Sequence, residues 1–111
     1  RSDMKKVIHD GKVAVLISEG WGAGWYSWTN IEGLLYDPYI VDLVLKSEED
    51  GYDRSGLIIE YCEQVYGSEV YFGGLDGLTV KWIPEGAKFR VLEEDGAERI
   101  EMFDDVEWMV A

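Results

Sequence analysis

The chain has 111 residues, 47% of them hydrophobic, which predicts one folded domain with a single core. Its 23 acidic residues outnumber 10 lysines and arginines, so the formal net charge is −13. This charge repels phosphate backbones and disfavours direct nucleic-acid binding. It favours a basic protein partner, although acidic surfaces also serve solubility alone.

The ends of the chain and its apolar runs bear on processing and location. Arg1-Ser2-Asp3 ahead of Met4 are typical of a cloning scar, so a single domain is expected over 4–111. No apolar run approaches the ~20 residues of a membrane span. Cys62 is the only cysteine, so no internal disulfide can form. We therefore expect a cytoplasmic protein that does not enter a membrane.

The first predicted element is a β-hairpin. Asp10-Gly11 separates two β-rich runs, and this dipeptide is typical of a type I′ turn because both residues tolerate positive φ. The apolar run 13–17 that follows predicts a central strand.

Two helices are predicted in the middle of the chain. Asp37-Pro38 supplies an N-cap acceptor and a fixed φ, so a helix is expected from Pro38 to about Lys46, closed by the acidic residues 48–50 and Gly51. A second helix is expected from Asp53 or Ser55 up to a stop at Gly67. Its apolar residues recur at helical spacing and are Ile58, Tyr61, Cys62 and Val65.

Strand patterns return towards the C-terminal end. Alternation from Leu78 predicts a strand that ends at Pro84, with Trp82 in the core. Asp95-Gly96 predicts a hairpin over 88–103, because apolar residues then face each other on one side and opposite charges on the other. The expected pairs are Phe89 with Met102, Arg90 with Glu101 and Val91 with Ile100.

The last predicted strand includes Val106, Trp108 and Val110, with Trp108 in the core. Strands, then helices, then strands predict an α+β fold, a mostly antiparallel sheet with two short helices on one face.

The most distinctive segment, 20–30, mixes glycines with aromatic residues. Glycines let a backbone turn sharply and expose its N–H groups. The segment lacks the following helix of a dinucleotide fingerprint and the Lys-Ser or Lys-Thr of a phosphate loop. Its rings either stack on a ligand or cap the core, and at least one of its three tryptophans is expected to be partly exposed. The candidate ligand-binding residues here are Trp21, Gly22, Ala23, Gly24, Trp25 and Trp28.

Further candidates lie later in the chain. Gly73 and Gly74 form either a wide turn or the opposite wall of a pocket with the tryptophan segment. Lys81 and Arg90 lie on outward faces of predicted strands, where they either hold a phosphate or form salt bridges such as Arg90 with Glu101.

Catalysis has little support in the sequence. His9, the only histidine, lies beside a turn, and Cys62 lies on the apolar face of a helix. The acidic clusters lack the ligand spacing of a calcium loop. No catalytic residue, metal ligand or cofactor is assigned, although two carboxylates that meet in space would allow acid–base chemistry.

The order of motifs resembles a group of small uncharacterised acidic proteins of tailed phages and prophages. The similarity covers nearly the whole chain and includes a tryptophan close to the C-terminus. Its other motifs are strand 13–18, Gly20-Trp21-Gly22-Ala23-Gly24-Trp25, Leu34-Leu35-Tyr36-Asp37-Pro38, Tyr71-Phe72-Gly73-Gly74 and Trp82-Ile83-Pro84-Glu85-Gly86-Ala87-Lys88-Phe89-Arg90-Val91. The resemblance implies an accessory protein in the host cytoplasm, of the kind that blunts host defences. It implies no particular activity or catalytic residue.

Two hypotheses follow. In the first, the protein binds a small nucleotide-like ligand, with the tryptophans stacked on its base while glycine N–H groups and Lys81 or Arg90 hold its phosphate. In the second, it is an acidic inhibitor or nucleic-acid mimic that covers a basic surface of a host protein. The sequence names neither ligand nor partner and leaves the oligomeric state open, a homo-oligomer included.

Overall fold

The structure is a computed structural model that describes residues 5–103, and its fold is α+β, as predicted. The elements are, in chain order, β1 (Ile8–His9), β2 (Lys12–Ser18), α1 (Gly33–Tyr36), α2 (Pro38–Asp50), α3 (Ser55–Val65), a 3₁₀ turn (Leu75–Gly77), β3 (Leu78–Pro84), β4 (Phe89–Glu94) and β5 (Ala97–Met102). The predicted strand at 106–110 and the core position of Trp108 lie outside the described residues.

The strands form two antiparallel sheets. The first has the order β1-β2-β3, and the second is the β4-β5 hairpin. The predicted pairing of the hairpin is confirmed: Phe89 faces Met102, Arg90 faces Glu101 and Val91 faces Ile100. Its tip residues, Asp95 and Gly96, both have positive φ, as a type I′ turn requires.

The three-stranded sheet is covered on both faces, which explains why β2 is buried from Val13 to Ser18. On one face, Leu16 and Val80 pack with Ile40 of α2 and Cys62 of α3. On the other face, the apolar side of the β4-β5 hairpin packs over residues that include Val13, Val15 and Ile83. Helices α2 and α3 therefore occupy one face, as predicted, while the second hairpin forms a separate layer instead of extending the same sheet.

Helix α2 begins as predicted and ends later. The Asp37 carboxylate accepts hydrogen bonds from the N–H groups of Tyr39 (2.9 Å) and Ile40 (3.3 Å). The helix continues past Lys46 to Asp50 and ends at Gly51, which has a φ of 74°. The acidic residues expected to close α2 are instead its last turn, because nothing before Gly51 interrupts the helical backbone.

Asp37 also joins α2 to α3. It is 6% exposed, and its Oδ2 accepts hydrogen bonds from the hydroxyl groups of Tyr61 and Tyr66, both at 2.7 Å. Burial, together with these bonds to the carboxylate, raises the pKa of both phenols above the usual value. Burial also raises the pKa of the neighbouring Cys62 thiol to about 12, so this cysteine is a packed, protonated side chain.

Candidate binding cleft

The two glycine-rich segments meet and form a cleft of about 340 Å³. We call it the aromatic cleft, and it is lined by Ser18, Gly20, Trp21, Ala23 and residues 71–77. Trp21 and Tyr71 are exposed by 75% and 66%, so their rings are open to solvent. The structure thus brings Trp21 and Ala23 together with Gly73 and Gly74, the residues considered as opposite walls of a pocket.

Glycine at positions 73 and 74 lets the two walls touch. A Cβ on Gly73 would overlap the Ala23 side chain. A Cβ on Gly74, which has a φ of +75°, would lie 2.5 Å from Ser18 Oγ. Both glycines are therefore explained by close packing between the segments.

Glu98 on β5 holds the glycine- and tryptophan-rich segment 20–30, here called the tryptophan loop, from the interior of the protein. It is 2% exposed, and its Oε1 accepts a hydrogen bond from the Ser18 N–H at 2.8 Å. Its Oε2 accepts from the Ser27 N–H at 2.7 Å and from Ser27 Oγ at 2.6 Å. A buried carboxylate requires such donors, so these bonds stabilise Glu98 and fix the ends of the loop.

The tip of the β4-β5 hairpin interlocks with the same loop. The Gly22 N–H donates to the Asp95 carbonyl oxygen at 2.9 Å, so it does not point freely into the cleft as expected for a phosphate donor. Glu93 Oε2 accepts from the Gly96 N–H at 2.7 Å and from Trp28 Nε1 at 3.3 Å. The hairpin therefore contacts the loop at Gly22 and at Trp28.

The three tryptophans of the loop have different environments. Trp28 is 52% exposed, and its ring centroid lies 6.4 Å from that of Tyr71. Trp25 is fully buried, and its Nε1 donates to the Leu34 carbonyl oxygen at 2.8 Å. Trp25 is therefore a core residue, and its ring cannot stack on a ligand in this structure. Gly24 beside it is buried as well.

The two candidate cations lie away from the cleft lining and are paired with acids. Lys81 Nζ lies 2.8 Å from Glu19 Oε2, and Arg90 forms the predicted ion pair with Glu101. Among the described residues that line the aromatic cleft, Asp76 alone is charged. The electrostatics of the cleft thus favour a cationic group over a phosphate.

The other residues considered for chemistry lie apart from one another in the part of the chain that the structure describes. His9 is exposed, and its ring contacts the Trp82 ring edge-on at a centroid distance of 5.4 Å. Within residues 5–103, no group of three or more histidine, cysteine, aspartate or glutamate side chains is arranged to hold a metal ion. None of the helices in this part of the chain has the length and apolar character needed to cross a membrane.

Sequence reasoning did not identify Glu98, although a signal was present. In β5, Glu98 alternates with Ile100 and Met102, so an acid occupies the strand face that packs on the core. Its cross-strand partner is a second acid, Glu93. Two acids opposite each other on an apolar face indicate that nearby donors must satisfy them.

Comparison of the chain with protein-family models, with curated proteins and with solved structures found no match. The geometry of the cleft is therefore the basis for the function proposed below.

Proposed function

We propose that this is a non-catalytic binding protein that engages a basic protein surface through the aromatic cleft. The observation that carries the proposal is the exposure of Trp21 and Tyr71 beside a cleft whose charged lining residue is Asp76. Large exposed rings at a concave site are typical anchors of binding surfaces. The same rings attract cations, because the face of an aromatic ring is electron-rich.

Charge around the cleft supports a basic partner. Glu19 and the hairpin-tip acids Glu93, Glu94 and Asp95 are exposed. Asp95 and Glu93 contact the tryptophan loop directly, and the whole chain carries −13. Such a field speeds the encounter with a cationic surface and opposes an anionic one.

The nucleotide-like ligand has less support from the same geometry. Its phosphate was to be held by glycine N–H groups and by Lys81 or Arg90. Both cations are paired with acids, and the Gly22 N–H donates to the Asp95 carbonyl oxygen. Of the rings considered for stacking on its base, Trp25 is buried, whereas Trp21 and Trp28 are exposed. The resemblance to phage proteins adds a context to the basic-partner proposal, in which the partner is a host protein whose nucleic-acid-binding surface is covered.

Binding of a short fluorescein-labelled peptide of alternating basic residues and glycines, followed by fluorescence anisotropy, tests the proposal. We expect Trp21→Ala and Tyr71→Ala each to weaken binding about five-fold or more, because each removes a ring that contacts the cation. Tyr39→Ala is the matched control: Tyr39 is 46% exposed but lies on α2, outside the lining of the aromatic cleft. Added salt should weaken binding, since exposed charges are screened over ~8 Å at physiological ionic strength.

The outcomes separate the alternatives. Equal effects of Tyr71→Ala and Tyr39→Ala would mean that the peptide is held by net charge alone, which contradicts a role for the cleft. A fluorescent adenine nucleotide that binds the wild type and is lost in Trp21→Ala would favour the nucleotide-like ligand. Because Trp21 is exposed, its removal should change the free energy of unfolding by less than about 0.5 kcal/mol.

A further inference from the structure

We infer that the aromatic cleft receives a single arginine side chain of the partner. This inference rests on the proposed function and specifies the group that the cleft recognises. It depends on four features of the cleft, which are its size, its two exposed rings, the Asp76 carboxylate and the Ser18 hydroxyl group.

The size of the cleft suits a side chain. Its volume of about 340 Å³ lies at the lower end of the ~300–1,000 Å³ range of pockets that enclose whole small-molecule ligands. One long side chain fits such a space with its stem along a ring.

Two side chains of the cleft, Asp76 and Ser18, can accept a hydrogen bond and have no partner within residues 5–103. Asp76 is exposed and forms no ion pair within residues 5–103, unlike Asp42 and Asp50, which each pair with a basic residue four positions later. Ser18 Oγ is buried at the cleft lining and has no hydrogen-bond partner among the described residues. Buried polar atoms are nearly always paired in folded proteins, so an unpaired hydroxyl beside a cleft points to a ligand with a polar group, and this hydroxyl can accept a hydrogen bond from a donor.

Ser18 is held firmly in this position. Its N–H donates to Glu98 Oε1, and its side chain lies against Gly74. The hydroxyl is therefore presented at a fixed place in the cleft lining instead of rotating away with a mobile loop.

An arginine satisfies these features better than a lysine does. The guanidinium group is planar, stacks on aromatic faces and carries five N–H donors in a fixed fork. It can lie on the Trp21 or Tyr71 ring while donating two parallel hydrogen bonds to the Asp76 carboxylate. A lysine ammonium group is more strongly hydrated and has no flat surface to stack on a ring.

The test is ¹⁹F NMR of the full chain labelled with 5-fluorotryptophan, titrated separately with the N-acetyl methylamides of arginine, lysine and citrulline. We expect the Trp21 resonance to shift with the arginine compound at a concentration about 3- to 10-fold lower than with the lysine compound. Citrulline has nearly the same shape without the charge and should cause no saturable shift. The buried Trp25 resonance should not move, which reports that the fold is intact.

Asp76→Asn and Asp10→Asn remove the same charge at two exposed positions, of which only Asp76 lies at the cleft. We expect Asp76→Asn to abolish the preference for arginine and Asp10→Asn to preserve it. Equal responses to arginine and lysine at Trp21 would overturn the inference and leave the proposed basic partner standing. No response of Trp21 to either cation, together with peptide binding that is indifferent to Tyr71→Ala, would overturn both.

Discussion

Two regions of the molecule each contain one buried carboxylate that connects distant segments. We call them the helical side, formed by α2 and α3, and the loop side, formed by residues 20–30 and the β4-β5 hairpin. Asp37 accepts four hydrogen bonds and joins the start of α2 to tyrosines 24 and 29 positions along the chain. Glu98 accepts three and joins β5 to loop residues that precede it by 80 and 71 positions. The first acid stabilises a packed interior. The second holds a surface on which Trp21 is exposed and the Ser18 hydroxyl has no hydrogen-bond partner among residues 5–103. This difference is why we propose the loop side, and not the helical side, as the surface that binds a partner.

The largest effect should come from separating the hairpin tip from the loop. A Cβ on Gly96, which has a φ of +85°, would overlap the Gly22 backbone. We expect Gly96→Val to cost about 4 kcal/mol or more in denaturant unfolding, because strain at positive φ adds to a backbone clash. Gly11→Val is the matched control, since Gly11 has a φ of +77° in an equivalent turn but open space around it. Equal losses in the two variants would show that the tip does not pack on the loop.

The helical side should respond strongly to loss of its carboxylate. Asp37→Ala removes the α2 cap and leaves two partly buried tyrosine hydroxyls without their acceptor. We expect a loss of about 3 kcal/mol in the free energy of unfolding. Asp53→Ala removes an exposed acceptor at the start of α3 and should cost only about 1 kcal/mol. If both variants lose the same small amount, the tyrosine bonds contribute nothing measurable.

Weakening the buried carboxylate of the loop side should reduce the free energy of unfolding less than the loss of Asp37 does, but it should disturb the conformation of the tryptophan loop. Glu98→Gln replaces one acceptor oxygen by an NH₂ group that faces N–H and O–H donors, which should cost about 2 kcal/mol. Glu94→Gln, on the exposed part of the same hairpin, should be neutral within about 0.5 kcal/mol. Binding of the basic peptide should fall in folded Glu98→Gln, since the loop that carries Trp21 is released. Unchanged binding in that variant would mean that Glu98 does not position the cleft.

The helical side should also be sensitive to alkali. The pKa values of Tyr61 and Tyr66 are raised in the folded protein above the ordinary value of 10.0, so the unfolded chain loses these protons more readily. Their contribution to stability is complete below pH 10 and is lost as the pH rises further. We expect the Tm to fall above about pH 10, and to fall less steeply in Tyr66→Phe. Parallel declines of the two proteins would contradict the assignment of this pH dependence to the tyrosine–Asp37 bonds.

Local patterns in the sequence were sufficient for much of the fold. The β4-β5 register followed from cross-strand pairing, and the start of α2 followed from Asp37-Pro38. The position of the second hairpin could not be predicted in this way. Apolar and polar residues alternate along β4 and β5 in the same manner whether the hairpin extends the first sheet or packs across it. The four-residue helix Gly33–Tyr36 is too short to produce a periodic signal.

The candidate site was only partly predictable for a similar reason. Gly20-Trp21 and Gly24-Trp25 are locally alike, yet one ring is 75% exposed and the other is fully buried. Their tertiary contacts differ. Trp25 packs in the core and donates a hydrogen bond to the Leu34 carbonyl oxygen, whereas Trp21 lines the aromatic cleft. The meeting of the loop with residues 71–77 likewise depends on contacts distant in the chain.

The most direct test of the proposed binding surface is hydrogen–deuterium exchange of the full chain with and without a saturating arginine-containing basic peptide. Helix α3 offers a competing surface, since Leu57 and Val65 are exposed on it beside acidic residues. We expect exchange to slow in residues 18–28 and 71–77 and to stay unchanged in α3. Protection confined to Ser55–Val65, with none in the aromatic cleft, would contradict the proposal.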